Sequence, residues 1–344
     1  MTTLMQASHQ WASRPADQRF LSLTEMLDYK NQVRHRSQAK VLSSRAIEVQ
    51  AVEGDLRGLQ VLGANGGGPV NPTNWSFGQL ASLVGAPAKY MRTLPSALAA
   101  DNLNYGLMRR DVEDLGIMMI NGPDGSPGEL AAVTGPNYGR IYDANIVDQL
   151  VRRFGDGVTG DFKVPGEFGQ DVPITRQNTT LYASDRDMFV FLADEKNRIE
   201  VPGRRNGEAG QLARGFFVWN SEVGSKTFGM ATFLFDYVCM NRIVWGAAEY
   251  RELTIRHTSS APDKFVEEMA PAIEAYAQSS TTSITAAIEA AKKARLDTDV
   301  KDFLAKRMNR TLSLKQMAAV MATHESEEGR PIETVWDAVT GITA

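Results

Sequence analysis

The chain is poor in the residues that bring chemistry with them. Among its 344 residues there is one cysteine, Cys239, only four scattered histidines, no long apolar run, and hardly any excess of charge, with 37 Lys and Arg against 41 Asp and Glu for a net of −4. A lone cysteine excludes an internal disulfide framework and any cysteine-based zinc cluster, and His257 in RHTS and His324 in ATHE make neither H-x-x-x-H nor H-x-x-E-H. No metal and no cofactor are therefore expected. A helix that crosses a bilayer needs roughly 18 consecutive apolar residues, and none are present. The start, Met1 to Phe20, carries His9, Arg14, Asp17 and Arg19 where a signal peptide needs an apolar stretch. The expectation is a protein of the reducing cytoplasm that does not engage a membrane. The near balance of charge means that any role on nucleic acid must rest on local basic clusters.

What is present is ordinary globular composition, 43% hydrophobic and 23% charged, with length for two or three units. From Leu23 to Arg45 the residues Lys30, Arg34, Arg36, Lys40 and Arg45 read as a basic N-terminal arm or short helix, within residues 1–45. The pattern from 46 to 257 is that of an α+β core. Ala46–Val52 and Gly58–Ala64 form a hairpin around Glu53-Gly54-Asp55, and Leu115–Gly122 pairs with Glu129–Gly135 across a turn at Asn121–Gly125. Helical spacing runs through Asn74–Met108, with Asn74 or Ser76 as a cap, and through Ala144–Phe154, capped by Asp143. Strands follow at Thr179–Ser184 and Asp187–Asp194 and along an apolar run from Arg214 to Gly246 interrupted by Asn220–Ser225, with Glu195–Gly210 as a long exposed loop between them. From Pro262 onward the Ala-rich segments have helical period, so residues 258–344 read as a helical C-terminal region.

Familiar catalytic patterns are missing. Gly122-Pro123-Asp124-Gly125-Ser126 is a Pro-broken turn, not a nucleophile elbow, and Gly66-Gly67-Gly68 runs into Pro69, which removes an N–H that a phosphate loop would need. Cys239 sits in the apolar stretch FLFDYVCMN, as an inert buried thiol does.

The segment Trp219-Asn220-Ser221-Glu222-Val223-Gly224 sets three polar residues between apolar strands. Such a trio is either a turn, with Asn220 and Ser221 folding onto the backbone and Gly224 taking a positive φ, or a site built on Glu222. Basic residues gather at the arm, at Arg204, Arg205, Arg214 and Lys226, and along Lys292 to Arg310. Phe217 and Trp219 lie beside the second group. Cations that track phosphates next to aromatic faces that stack bases make a single-strand binding surface.

The string from Arg214 to Gly246, with RHTSSAPDKF and the terminal RPIETVWDAVTGITA, resembles the phage- and plasmid-borne family catalogued as domain of unknown function 932, over residues from about 20 to the end. That family has no established activity; the resemblance implies a setting in mobile genetic elements. The order of elements also has a fold-level similarity to Rad52-like single-strand annealing proteins.

The expected fold is α+β: an antiparallel sheet with helices packed on one face, then a mostly helical C-terminal region. The leading functional expectation is a cytoplasmic, non-enzymatic, homo-oligomeric protein that binds single-stranded DNA and promotes annealing through Arg204, Arg205, Arg214, Phe217, Trp219 and Lys226. Two alternatives stay open: an interaction protein directed at a host factor, and an enzyme using Glu222 with Asp236 or His257 as acid and base.

Overall fold

The computed structural model describes residues 14–55, 58–63, 68–166, 173–204, 208–236, 244–245, 252–308 and 310–343. The fold is α+β, built on two sheets. The first strand, β1 (Arg19–Phe20), leads into α1 (Leu23–Arg36), whose N-terminus is capped by the Ser22 hydroxyl accepting from the Glu25 N–H at 3.0 Å. Leu23, Met26 and Lys30, spaced three and four apart, form its buried stripe. Of the two readings of this stretch, arm or short helix, Leu23–Arg36 is the helix, and it is set into the core, because two of those three positions are apolar and fully covered.

The smaller sheet comprises β2 (Ser37–Ser43), β3 (Glu48–Ala51), β4 (Leu59–Leu62), β5 (Val70–Pro72), β6 (Asp114–Ile120) and β7 (Gly128–Thr134), in the order β2-β6-β7-β5-β4-β3. Only the β5–β7 pair is parallel. Both expected hairpins are present. Helices α2 (Asn74–Leu83), α3 (Ala88–Met91) and α4 (Ser96–Arg109) connect the strands, with Thr73, not Asn74 or Ser76, capping α2 by accepting from the Ser76 N–H. Leu80, Leu103 and Leu107 pack on Val49, Val61, Ile117 and Leu130. Each such leucine stabilises the fold by roughly 1.5–3 kcal/mol. A bulge opposite Met118 and Met119 breaks the alternation of β7, turning both Ala131 and Ala132 to the other face, where they meet Val223.

Helix α5 (Asp143–Phe154) leads to the larger sheet: β8 (Phe162–Lys163), β9 (Leu181–Ala183), β10 (Met188–Asp194), β11 (Ile199–Arg204), β12 (Glu208–Asn220), β13 (Phe228–Asp236), β14 (Val244–Trp245) and β15 (Glu252–Ile255). Its backbone path is β1-β9-β10-β12-β13-β14. The supposed loop after Glu195 instead contains β11, which pairs with β12, its Arg and Gly content masking a hairpin. In β10 every residue is buried, and the period of two separates the faces. Met188, Val190 and Leu192 meet α1, α5 and the following helices, while Phe189 and Phe191 join Tyr182, Phe217 and Phe233 on the opposite face.

The next run begins with α6 (Ala261–Lys264), passes through one π turn (Phe265–Met269) and continues as α7 (Ala270–Gln278). Its Phe265, Met269 and Ile273 fill the core under the larger sheet, so the helical run begins at Ala261, where the period from Pro262 onward predicts it, with its first turns packed into that core. Beyond it α8 (Thr282–Lys293) packs Ile284 and Ile288 on Val201, Leu212 and Leu234. Helices α9 (Val300–Met308), α10 (Leu314–Glu328) and α11 (Val335–Thr343) enclose a further cluster around Leu304 and Ile332. No helix of the described residues is long and apolar enough to cross a membrane.

Candidate functional site

The polar trio between β12 and β13 is where the two sheets are tied together. It turns the chain with Gly224 at φ +88°, as the turn reading required. The Val223 carbonyl accepts from Trp75 Nε1 at 2.9 Å and Gln79 Nε2 at 2.8 Å, both on α2 of the smaller sheet's layer. The Ser221 carbonyl accepts from the Tyr138 hydroxyl at 2.9 Å, and burial pushes that phenol's pKa up, keeping it a donor. Ser221 Oγ donates to the Arg186 carbonyl at 2.7 Å, and Asn220 Nδ2 donates to Ile141 O at 2.8 Å and Asp143 Oδ1 at 2.7 Å. Buried polar groups at this density require such pairing.

At the centre lie three ionisable side chains from three elements. Lys30 of α1 is 5% exposed, and its Nζ is 2.8 Å from Asp143 Oδ2 at the start of α5. Glu222 Oε1 accepts from the Asp143 N–H at 2.6 Å. Asp143 does not cap its helix: it is the first helical residue, and its carboxylate is taken by Lys30 and Asn220. Burial disfavours the Lys30 charge, but Asp143, with Glu222 behind it, more than offsets this and holds the lysine above its usual range. Glu222 is pushed up to about 7, first by burial and then by the charge of Asp143, against the opposing pull of Lys30, the Asp143 N–H and Arg140. One cation and two carboxyl groups therefore share a site that holds a titratable proton near neutrality.

These groups form a wall of a cavity of about 1010 Å³ between the two sheets. Other walls come from Tyr29 and Arg36 of α1, Met118 and Ala131 of the β6–β7 pair, and Asp185 and Arg186 of the β9–β10 turn. Glu222 Oε2 has no hydrogen-bond partner within the described residues.

The cations expected to grip phosphates are otherwise engaged. Arg214 is 5% exposed; its Nε donates to Asp194 Oδ2 at 2.8 Å, and its Nη groups donate to the Tyr276, Ala277 and Ser279 carbonyls at the end of α7. It caps a helix C-terminus and cannot meet a strand in solution. Lys226 Nζ is 2.6 Å from Asp187 Oδ2, which also takes Arg14. Burial works against the Asp187 charge, but Lys226, Arg14 and Ser184 hold its pKa below the ordinary value. Phe217 is 8% exposed and packs on Phe189 and Phe233, so it offers no face for a base. Trp219 is partly buried, its ring laid over Gly229, where any Cβ would come within 2.1 Å of the indole. Arg205 and Cys239 lie outside the described residues, as do the side chains of Arg204 and Asp236.

Of the enzyme reading's residues, Glu222 lines the cavity and His257 does not. His257 Nδ1 lies 3.0 Å from the Gly139 carbonyl, and its ring stacks on Tyr138 at 4.8 Å. Lys30, Asp143 and Arg140 were not anticipated as site residues. Among the described residues, no group of three His, Cys, Asp or Glu side chains is arranged to hold a metal ion.

The model of the family described as Domain of unknown function (DUF932) matches residues 175–344. That span contains Glu222 and the whole β10–β13 unit, whereas Lys30, Asp143 and the smaller sheet precede it. No curated protein and no solved structure matches the chain.

Proposed function

We propose that the chain binds a small polar molecule in the cavity between its sheets and exchanges a proton with it through Glu222. The observation that carries this reading is the placement of the Glu222 carboxyl on the cavity wall, with one oxygen fixed by the Asp143 N–H and the other unbonded within the described residues, beside a buried ion pair. A carboxyl poised near neutrality is both donor and acceptor at ordinary pH, which is what general acid–base chemistry demands. Lys30 and Asp143 are positioning residues: the lysine keeps Glu222 from rising further, and Asp143 keeps it from ionising outright. A large cavity with a few converging polar groups is where a ligand site is first sought.

The test is a thermal-shift screen of polar metabolites against the full chain at pH 6 and pH 8. A compound that stabilises the wild-type chain and loses its effect on Glu222→Gln supports the reading. If no compound stabilises, or every stabilising compound acts equally on the variant, the reading falls.

Single-stranded DNA binding by a homo-oligomer is the second proposal. With Arg214, Lys226 and Phe217 committed elsewhere, its support moves to the outer rim of the same cluster, where Arg34 and Arg140 stand over tyrosine rings.

A further inference from the structure

Two arginines near Glu222 have no carboxylate within salt-bridge distance among the described residues. Arg34, exposed on α1, places its Cζ 3.6 Å from the centre of the Tyr142 ring, and Arg140 places its Cζ 5.1 Å from that of Tyr138. His257 stacks on Tyr138, with its ring only 18° from parallel. Three aromatic rings and two guanidinium groups thus form one patch, on α1, the β7–α5 connection and the segment after β15.

The patch is electrostatically incomplete. Among the described residues, Arg140 Nε and Nη1 are shut off from solvent and meet no acceptor, and His257 Nε2 is likewise buried without a partner. Buried donors of this kind are rare, and each one left unpaired is destabilising. Burial lowers the Arg140 pKa, Arg34 lowers it further, and the charge of Glu222 opposes both. Burial likewise depresses His257, helped by Arg140, while the Gly139 carbonyl and Asp143 pull the other way. A multivalent oxyanion would pair with Arg34 and Arg140 and draw a proton onto His257.

We propose that this patch is a binding site for a phosphate group, held by Arg34 at the surface and by Arg140 beneath it. Guanidinium groups match phosphate oxygens in a planar fork. The same chemistry is offered by a free nucleotide and by a single strand. The inference rests on the second reading above and is independent of the cavity.

The experiment titrates the full chain with fluorescein-labelled dT20 at low salt, with dTMP, and with inorganic phosphate, following anisotropy and the His257 ring resonances. The variants are Arg140→Gln, Arg34→Gln and, away from the patch, Arg92→Gln. Arg34 is exposed, so its variant tests the site without a folding risk. The expected result is binding that weakens about tenfold or more in each patch variant and not in Arg92→Gln, with the His257 pKa rising on saturation. Each lost phosphate contact should also reduce the salt slope by about 0.7 to 1. A tighter grip on dT20 than on dTMP assigns the site to a strand, and equal affinity assigns it to a free nucleotide. Binding of dT20 that ignores both patch variants overturns the site while leaving the nucleic-acid reading on another surface. Absence of binding by dT20, dTMP and phosphate overturns both.

Discussion

The stretch from Arg214 to Glu222 has a buried ion pair at each end, and the two differ in how completely they are satisfied. At Arg214 the guanidinium is shared between Asp194 and the terminal carbonyls of α7, and Asp194 also accepts from the Asn197 backbone and side chain. Every charge there has its complement. At the other end Lys30 and Asp143 pair at 2.8 Å, but a second carboxyl, Glu222, stands beside them with no cation of its own and with a cavity in front of it. The lesson is that burial of charge alone does not mark function. The saturated pair fastens a helix to a sheet; the unsaturated one keeps a proton that can be moved.

That contrast can be broken from either side. The largest effect is expected at the saturated end, where Arg214→Ala leaves Asp194 buried without its cation and the α7 carbonyls without their guanidinium, and chemical denaturation should show a loss of about 3–5 kcal/mol. At the other end Lys30→Met should cost somewhat less, about 3 kcal/mol, because Glu222 can take up a proton and relieve part of the imbalance. Its signature is an upward displacement of the Glu222 titration, read by carbon NMR of the carboxyl. The smallest change is Glu222→Gln, which keeps the acceptor for the Asp143 N–H. In the unfolded chain Glu222 ionises near its ordinary 4.5, and in the fold only near 7. Stability it contributes is therefore whole below pH 4.5 and fades as pH rises to about 7, by up to about 3 kcal/mol. The variant should have a flatter profile across that window and be the more stable protein at pH 8. On the acid side both proteins should weaken together, as Asp187 and Asp337, each held below its usual pKa by basic partners despite burial, become protonated.

Much of the fold was legible because it is local. Gly54 and the Asn121–Gly125 turn announced their hairpins, and the apolar runs of β10, β12 and β13 announced strands. What failed did so for identifiable reasons. β11 is written in Arg, Gly and Pro, and only its pairing with β12 makes it a strand. Arg214 reads as any surface arginine until α7 arrives to be capped. At the site, Glu222 stood out as a polar interruption, but its partners did not. Asp143 precedes a helix and looked like a cap. Lys30 carried a usable signal: it follows Leu23 and Met26 at the spacing of a buried stripe, so a lysine occupies the place of an apolar residue. A charge on such a stripe asks for a counter-charge from elsewhere in the chain, and the sequence does not say where.

The shared hydrogen bonds at Val223 have a mechanical side. One carbonyl receives both the indole and the amide from α2, so the layers meet there as pages meet at the spine of a book. Glu222 is the neighbouring residue, close to that spine, while Tyr29 and Asp185 stand at the open margins. A guest lodged between the leaves would lie against the very segment that carries the proton, so its fit and the charge of Glu222 are set at one place.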